Sequence, residues 1–350
     1  MKRLSKEYTN LRKFSVIRSL VYEKNGEPLD VLQIKETKFR KLTPNEVLIK
    51  QLASPIHNSA INMIQGVYGI KTTLPSVAGN ESVGEVVELG PDVSNLKVGD
   101  RVSTILQEIG TWSSHVTCPE LHLAKIPKEL DPFSGSVAFT NPASALLMLE
   151  NFVKLNQDDL VVQNASTSAV GIYIIQICKI IGLRSINVFR DRDSLEANEE
   201  TKKFLFDSGA FQVYTQTEFD LLLKERKLPM AKLGLNCVGG KPSVSILKSL
   251  EKNGCMVSYG AMSKQPTPLP VSPLIFKNIQ VRGFWCQLYL MKYGYDSKEV
   301  QDLRSKLINW FLEGKLKPSP YTTYSLDQYR EAFTEEPKQN SIGLKKIFKL

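Results

Sequence analysis

Between Asp159 and Arg192 the chain reads DLVVQNASTSAVGIYIIQICKIIGLRSINVFRDR: a strand, a turn of small residues, an amphipathic helix and a second strand, closed by two arginines around an aspartate. The small side chains from Ala165 to Ala169 let a backbone come close to a pyrophosphate. Its negative charge would rest on the unpaired N–H groups that open the next helix. The end of the second strand says which dinucleotide fits. A carboxylate there usually bonds the ribose 2′-hydroxyl of NAD, whereas guanidinium forks such as those of Arg190 and Arg192 match the 2′-phosphate of NADP. Asp191 has two uses open to it, orienting those forks or bonding a ribose, so some use of NADH stays open.

These residues need a frame. From about residue 141 strands and helices alternate, with strands expected at Leu160–Asn164, Ser185–Phe189, Gln212–Tyr214, Leu233–Cys237, Met256–Tyr259 and Ile279–Phe284. That order predicts an α/β fold, a doubly wound parallel sheet of Rossmann type covered on both faces, over residues 141–289. Residues 16 to about 125 carry short β-like runs between turn signals, VIRSLVYE, NEVLIKQLA, ESVGEVVELG and LKVGDRVS, which predict a β-rich domain over 16–140. After Ser297, KEVQDLRSKLINWFLEGKL reads as an amphipathic helix ending near Gly314, and the final GLKKIFKL as a strand. A terminal strand needs a sheet to join, so about 290–350 is expected to complete the β-rich domain.

With 350 residues, 42% of them hydrophobic, the chain can bury a large core in two domains. Its longest apolar stretch, Ile172 to Leu183, is interrupted by Gln176 and Lys179, which excludes membrane insertion by a long apolar helix there. The net charge is +9. Lys2, Arg3, Lys6, Arg12 and Lys13 against Glu7 give the first 14 residues +4, leaving +5 for the body. Ordinary solvated charge accounts for that remainder without a nucleic-acid partner. In the same basic segment Leu4, Tyr8, Leu11 and Phe14 stand at near-helical spacing, compatible either with an organelle-import peptide or with a frayed extension over residues 1–15. Cys118, Cys178, Cys237, Cys255 and Cys286 form no C-x-x-C pair or zinc spacing, and Cys178 and Cys255 are expected as buried reduced thiols. His57, His115 and His122 lack the partners a metal site needs.

Several longer strings narrow the reading: INMIQGVYG at 61–69, LPSVAGNESVGEVVELG at 74–90, GTW at 110–112, QNAS at 163–166, INVFRDR at 186–192, LNCVGGKPS at 235–243, YGAMSKQP at 259–266 and RGFW at 282–285. With these the chain resembles the medium-chain dehydrogenases and reductases, and more narrowly the mitochondrial trans-2-enoyl thioester reductases, from about Val16 onward. The resemblance implies a GroES-like catalytic domain beside the nucleotide domain, NADPH as cofactor and no metal. Zinc alcohol dehydrogenases share the architecture, but Asn80 stands where they place a histidine, and PIHNSAIN at 55–62 lacks their early cysteine.

Reducing a double bond conjugated to a thioester delivers hydride to Cβ and pushes negative charge onto the thioester oxygen. Without metal, a phenol can donate a hydrogen bond to that oxygen and then protonate Cα. The resemblance gives this role to Tyr68. It also implies that Asn141 lies near the nicotinamide, Thr167, Ser168, Ala169 and Val170 under the pyrophosphate, and Arg190, Asp191 and Arg192 around the adenosine phosphate. Tyr259, Gly260, Ala261 and Met262 would form a second loop over the cofactor. Phe284, Trp285 and Cys286 would end a strand beside the nicotinamide, and Lys345 would reach in from the C-terminal segment. Mitochondria, a homodimer through nucleotide-domain edge strands and an acyl carrier protein delivering the enoyl thioester are further implications. This chain departs from the family pattern in two places. His57-Asn58-Ser59-Ala60 replaces the Asn-Pro-Ser-Asp portion of PINPSDIN, and Ser82 adds bulk where glycine is usual. A quinone reductase of the same superfamily, or a diverged non-catalytic nucleotide- or nucleic-acid-binding protein, are the alternative readings.

Overall fold

The computed structural model describes residues 16–105, 108–334 and 342–350. The basic segment over 1–15 lies outside them. The described residues divide into two compact units, one formed by 16–105, 108–137, 321–334 and 345–350, the other by 138–320 and 342–344.

The first unit opens with β1 (Val16–Tyr22), α1 (Pro28–Val31), β2 (Gln33–Lys38), β3 (Glu46–Pro55), α2 (Asn58–Ile64) and β4 (Ser76–Val77). It continues through β5 (Val83–Leu89), β6 (Arg101–Thr104), β7 (His115–Pro119), β8 (Leu123–Lys125) and α3 (Pro132–Ser136). The ten-residue β3 is its spine, pairing antiparallel with both β5 and β7. Val47, Ile49 and Val86 meet Val102 and Val116 in a buried β-branched core, the residue type that packs best on a pleated surface. Beside it Trp112, with no exposed surface, anchors a second cluster that includes Leu20, Tyr22 and Ile64.

The second unit runs through α4 (Thr140–Asn151), β9 (Leu160–Gln163), α5 (Ala169–Ile180), β10 (Arg184–Phe189), α6 (Leu195–Asp207) and β11 (Gln212–Thr215). There follow α7 (Gln216–Lys224), β12 (Ala231–Asn236), α8 (Gly240–Lys248), β13 (Leu250–Ser258), α9 (Val271–Lys277), β14 (Gln280–Gly283), α10 (Cys286–Tyr293) and α11 (Lys298–Leu312). Its sheet has the order β11-β10-β9-β12-β13-β14, every neighbouring pair parallel. The doubly wound Rossmann-type expectation therefore holds.

Local differences have physical causes. The helix α5, read as amphipathic, is buried from Gly171 through Cys178 because α4 packs against it on one side and β10 on another. Helix α8 ends at Lys248 with Ser249 as its cap, and LEKNG opens β13, whose first residue Leu250 is fully buried and pairs with Ala231. Ser297 caps α11, which buries Val300, Leu303, Leu307 and Phe311 along one stripe. Tyr173 of α5 meets Phe311 edge-on at 6.0 Å, and α11 also packs on α4, so this helix belongs to the second unit. The return to the first unit accordingly starts not near residue 290 but with β15 (Tyr321–Tyr324), continued by α12 (Tyr329–Thr334) and β16 (Lys345–Lys349). Strand β16 pairs with the end of β3, Ile347 opposite Pro55, as the terminal strand requires. Among the described residues no helix is long and apolar enough to cross a membrane.

Candidate functional site

In the second unit the candidate site gathers at the C-terminal ends of the parallel strands. Strand β9 leads into a tight turn in which Ala165 takes a positive φ of 54°. Ser168 then caps α5 by accepting the Gly171 N–H at 3.1 Å. Gly171 is glycine for space: a Cβ there would stand 2.6 Å from the Ala165 carbonyl oxygen. Thr167, Ser168, Ala169 and Val170 are half-buried, at the opening of a twelve-residue helix whose first N–H groups attract anions. Two asparagines hold the neighbouring strand ends in register. Asn164 Oδ1 accepts the Cys237 N–H at 2.7 Å, and its Nδ2 donates to Asn236 Oδ1 at 2.9 Å. Asn236 in turn donates to the Ser258 hydroxyl at 2.9 Å.

Arg190 and Arg192 follow β10. Arg190 is exposed and Arg192 half-buried, its guanidinium 5.9 Å from the centre of the Phe189 ring. Burial, and then the charge of Arg190, draw the Arg192 pKa below its ordinary value, opposed by Asp193. Arg192 Nε is moreover buried with no hydrogen-bond partner among the described residues. Two mutually repelling cations and an orphaned donor fit a phosphate dianion. Asp191 is turned elsewhere, accepting the Thr217 N–H at 3.2 Å in the first turn of α7. Burial opposes its ionisation, but hydrogen bonds from Thr215 and Thr217 hold its pKa below the usual value.

Tyr259 begins the loop after β13, and its N–H donates to the Asn236 carbonyl at 3.0 Å. Its hydroxyl is buried beside the Cys237 thiol and the Ser168 side chain without a hydrogen bond of good geometry. Burial, reinforced by Cys237, pushes its pKa well above the usual phenol value. Met262 N–H closes the loop onto the Cys237 carbonyl at 3.0 Å, leaving Ala261 and Met262 exposed and Gly260 half-buried. Phe284 N–H bonds the Ser258 carbonyl at 2.9 Å, and its ring meets Phe152 edge-on at 6.0 Å. Trp285 starts α10 and Cys286 is buried beneath it, while Asn141 is buried in the first turn of α4.

In the first unit Tyr68 sits on the turn that ends α2. Gly66 adopts φ 74°, and the N–H groups of Val67 and Tyr68 both reach the Asn62 carbonyl, at 3.0 and 3.2 Å. A Cβ on Gly66 would stand 2.8 Å from the Asn25 side chain, so the string QGVY encodes a glycine-terminated helix that presents a half-buried phenol. Ser59 on α2 accepts from Asn80 Nδ2 at 2.8 Å, while Asn80 Oδ1 is buried without a partner.

At the other end of α2 lies a cluster that sequence reasoning did not assemble. Lys345 Nζ donates to His57 Nδ1 at 2.8 Å, and His57 Nε2 donates to Glu81 Oε2 at 2.6 Å. The pairing of β16 with the end of β3 brings these partners together, with the Ile56 N–H on the Lys346 carbonyl at 2.9 Å. The Glu81 carbonyl is itself fixed by the Ser54 hydroxyl at 2.7 Å and the Thr111 hydroxyl at 3.1 Å. Burial first, and then the Lys345 charge, lower the His57 pKa, which leaves the imidazole neutral and able to accept. Burial brings the Lys345 pKa down to about 8, against the opposing pull of Glu81. No spacing signals such a group, because 24 residues separate His57 from Glu81 and 288 separate it from Lys345.

Metal readings find no geometry. His115 Nδ1 lies 3.2 Å from the Ser114 hydroxyl and its ring meets Phe39 edge-on, while Cys118 is buried in the β core. Among the described residues no three His, Cys, Asp or Glu side chains stand close enough to hold a metal ion. All five cysteines are buried and none forms a disulfide. Burial pushes the Cys118 and Cys178 thiols up to about 12. Ser82, expected to add bulk, is buried with its hydroxyl 3.3 Å from that of Thr104.

A β-rich unit and a parallel Rossmann-type unit with a small-residue turn before a capped helix define the class of the medium-chain dehydrogenases and reductases. The alcohol dehydrogenase GroES-like domain matches residues 43–128 and the zinc-binding dehydrogenase family matches 169–303. A curated relative, the mitochondrial enoyl-[acyl-carrier-protein] reductase of Rattus norvegicus, is 39% identical over 99% of this chain and 92% of its own length. Among solved structures, the Etr1p/NADP/crotonyl-CoA complex is 33% identical with a TM-score of 0.84, covering 96% of this chain and 100% of its own. The mitochondrial 2-enoyl thioester reductase Etr1p/Etr2p heterodimer from Candida tropicalis is 35% identical, again at a TM-score of 0.84 and with the same coverage. The chain belongs to the enoyl-[acyl-carrier-protein] reductase family.

Proposed function

We propose that this protein reduces trans-2-enoyl thioesters to saturated acyl thioesters with NADPH, and that Tyr68 is its proton donor. The observation that carries this reading is the half-buried phenol held on the Gly66 turn, in a unit whose described residues offer no metal-ligand cluster. When bound, NADPH supplies the hydride that adds at Cβ. Tyr68 donates a hydrogen bond to the thioester oxygen as negative charge develops there, then passes its proton to Cα. Arg190 and Arg192 hold the 2′-phosphate. Thr167 to Val170 receive the pyrophosphate at the start of α5, and Asn141, Tyr259 to Met262 and Phe284 to Cys286 shape the rest of the cofactor's surroundings. Lys345 is the further cofactor contact that the family resemblance suggests.

The relatives' names support a mitochondrial protein acting in fatty acid synthesis, with an acyl carrier protein as carrier of the substrate. A second copy is the partner that best fits the outer edge of the nucleotide sheet. There, among the described residues, β14 has no outer neighbour, and the adjoining α9 exposes Val271, Ile275 and Phe276, the last at 77%.

The test is NADPH and NADH oxidation by the purified protein with crotonyl and decenoyl thioesters, on CoA and on acyl carrier protein, beside a quinone. Enoyl thioester reduction with a preference for NADPH is expected. Turnover of the quinone alone would transfer the chain to the quinone reductases.

A further inference from the structure

The cluster Glu81, His57 and Lys345 has the order of an activated nucleophile: a carboxylate orients an imidazole, and the imidazole's other nitrogen faces an amine. The two links measure 2.6 and 2.8 Å. Their lengths are those of hydrogen bonds already aligned for proton transfer. His57 is buried, and Lys345 is half-buried.

We propose that Lys345 is an acyl-acceptor site, its amine attacking the carbonyl carbon of an acyl thioester with His57 as general base and Glu81 as the residue that orients His57. The substrate class rests on the reductase reading above. In the step the Nζ lone pair forms a bond to the carbonyl carbon, and His57 Nδ1 takes the proton from the attacking nitrogen. The carbon–sulfur bond then breaks, and the proton returns from His57 to the leaving sulfur. An amide and a free thiol result, with no change of oxidation state.

Two features favour Lys345 over the many exposed lysines. Burial keeps its pKa at about 8, so a large share of the amine is unprotonated at mildly alkaline pH, where an ordinary lysine is almost wholly charged. The depressed His57 pKa leaves its Nδ1 free of a proton in the same range. The charged groups facing this amine and imidazole are Glu81, from the segment before β5, and each other across β16 and α2. Acylation removes the ammonium and with it the cation paired against Glu81.

The experiment incubates the full chain with crotonyl-CoA or butyryl-CoA, without NADPH, and reads each lysine by peptide mass spectrometry against exposed Lys349 on the same strand. Lys345 should label about a hundredfold faster than Lys349 at pH 8, general-base assistance being of that order. The Lys345 rate should level off above pH 8. His57→Ala and Glu81→Gln should bring Lys345 down towards the Lys349 rate, and the wild-type pH profile stands if either variant fails to fold. Equal labelling of the two lysines by a protein that reduces crotonyl-CoA overturns the proposal and leaves the reductase reading intact. If no enoyl thioester is reduced, that reading fails by itself and acetic anhydride decides. Preferential capture by Lys345 then upholds the activated amine, and level reactivity overturns it.

Discussion

The two units build their candidate sites by opposite means. In the second unit backbone does most of the work: a small-residue turn, a capped helix and two asparagines fix N–H groups and carbonyls that lie close together in sequence or at adjacent strand ends. In the first unit side chains do it, and they come from far apart, Lys345 meeting a histidine 288 residues earlier. A site made of backbone tolerates many sequences that keep small residues and caps. A site made of side chains depends on single atoms, and substitution of Tyr68 there should act on chemistry rather than on cofactor binding.

Tyr68→Phe tests that division with the largest expected effect. It should lower kcat by about 10²- to 10⁴-fold, the range for loss of a positioned acid, with the NADPH dissociation constant unchanged by fluorescence titration. A loss of NADPH affinity instead would show that the phenol serves the cofactor and would collapse the contrast between the units. Next in size is the double variant Arg190→Ala, Arg192→Ala. Removing two charge-assisted contacts of about 1.5–3 kcal/mol each should raise KM for NADPH by at least tenfold and leave KM for NADH nearly unaltered. Equal losses with both cofactors would mean that the pair supports β10 rather than a 2′-phosphate.

Asn164→Ala probes the backbone side. Its side chain serves the Cys237 and Val238 N–H groups and Asn236 from a position 1% exposed. Leaving those donors unsatisfied should cost about 1–3 kcal/mol, read as a lower midpoint in urea, with NADPH affinity falling only as the strand ends loosen. A large loss of affinity at unchanged stability would assign Asn164 to the ligand instead.

The same contrast explains what was legible in the sequence. The small-residue turn could be read because its requirements are local: Ala165 and Gly171 leave space, and Ser168 offers a cap three residues before its partner N–H. Alternation of strands and helices likewise announced a parallel sheet, and the pattern after Ser297 announced α11. Which unit α11 joins was not legible, because an amphipathic stripe says that a helix is covered but not by what. Tyr68 was singled out through a string shared with a family, not from its own chemistry. His57 could be read only as a histidine with no metal partners, since its true partners arrive by strand pairing across most of the chain. Asp191 misled for a related reason: its place between two arginines in sequence hides that its carboxylate serves the start of α7.

The smallest expected effect contrasts the two ends of β3, where a carboxylate and a lysine respond to pH in separate ranges. At the start, Arg40 holds Glu46 through two hydrogen bonds of 2.7 and 2.6 Å, and the Thr43 N–H adds a third at 2.8 Å. Arg40 chiefly, with Thr43 and against burial, brings the Glu46 pKa from 4.5 to about 2. A carboxylate so depressed contributes stability that is complete above pH 4.5 and disappears as pH falls through about 2. Because Arg40 is 56% exposed, solvent screening reduces that contribution to about 1 kcal/mol. At the far end the slope has the same sign but lies in alkaline solution. Lys345 is a cation whose pKa falls from 10.5 to about 8, so between those values the unfolded chain holds the extra proton and stability rises with pH. Acid and alkaline urea titrations of Glu46→Gln and Lys345→Met therefore separate the two ends. Glu46→Gln should flatten the limb below pH 4.5 and leave the alkaline one untouched, whereas Lys345→Met should do the reverse. An alkaline limb that survives in Lys345→Met would place the responsible proton on another group and leave β3 with a titrating group at its Glu46 end alone.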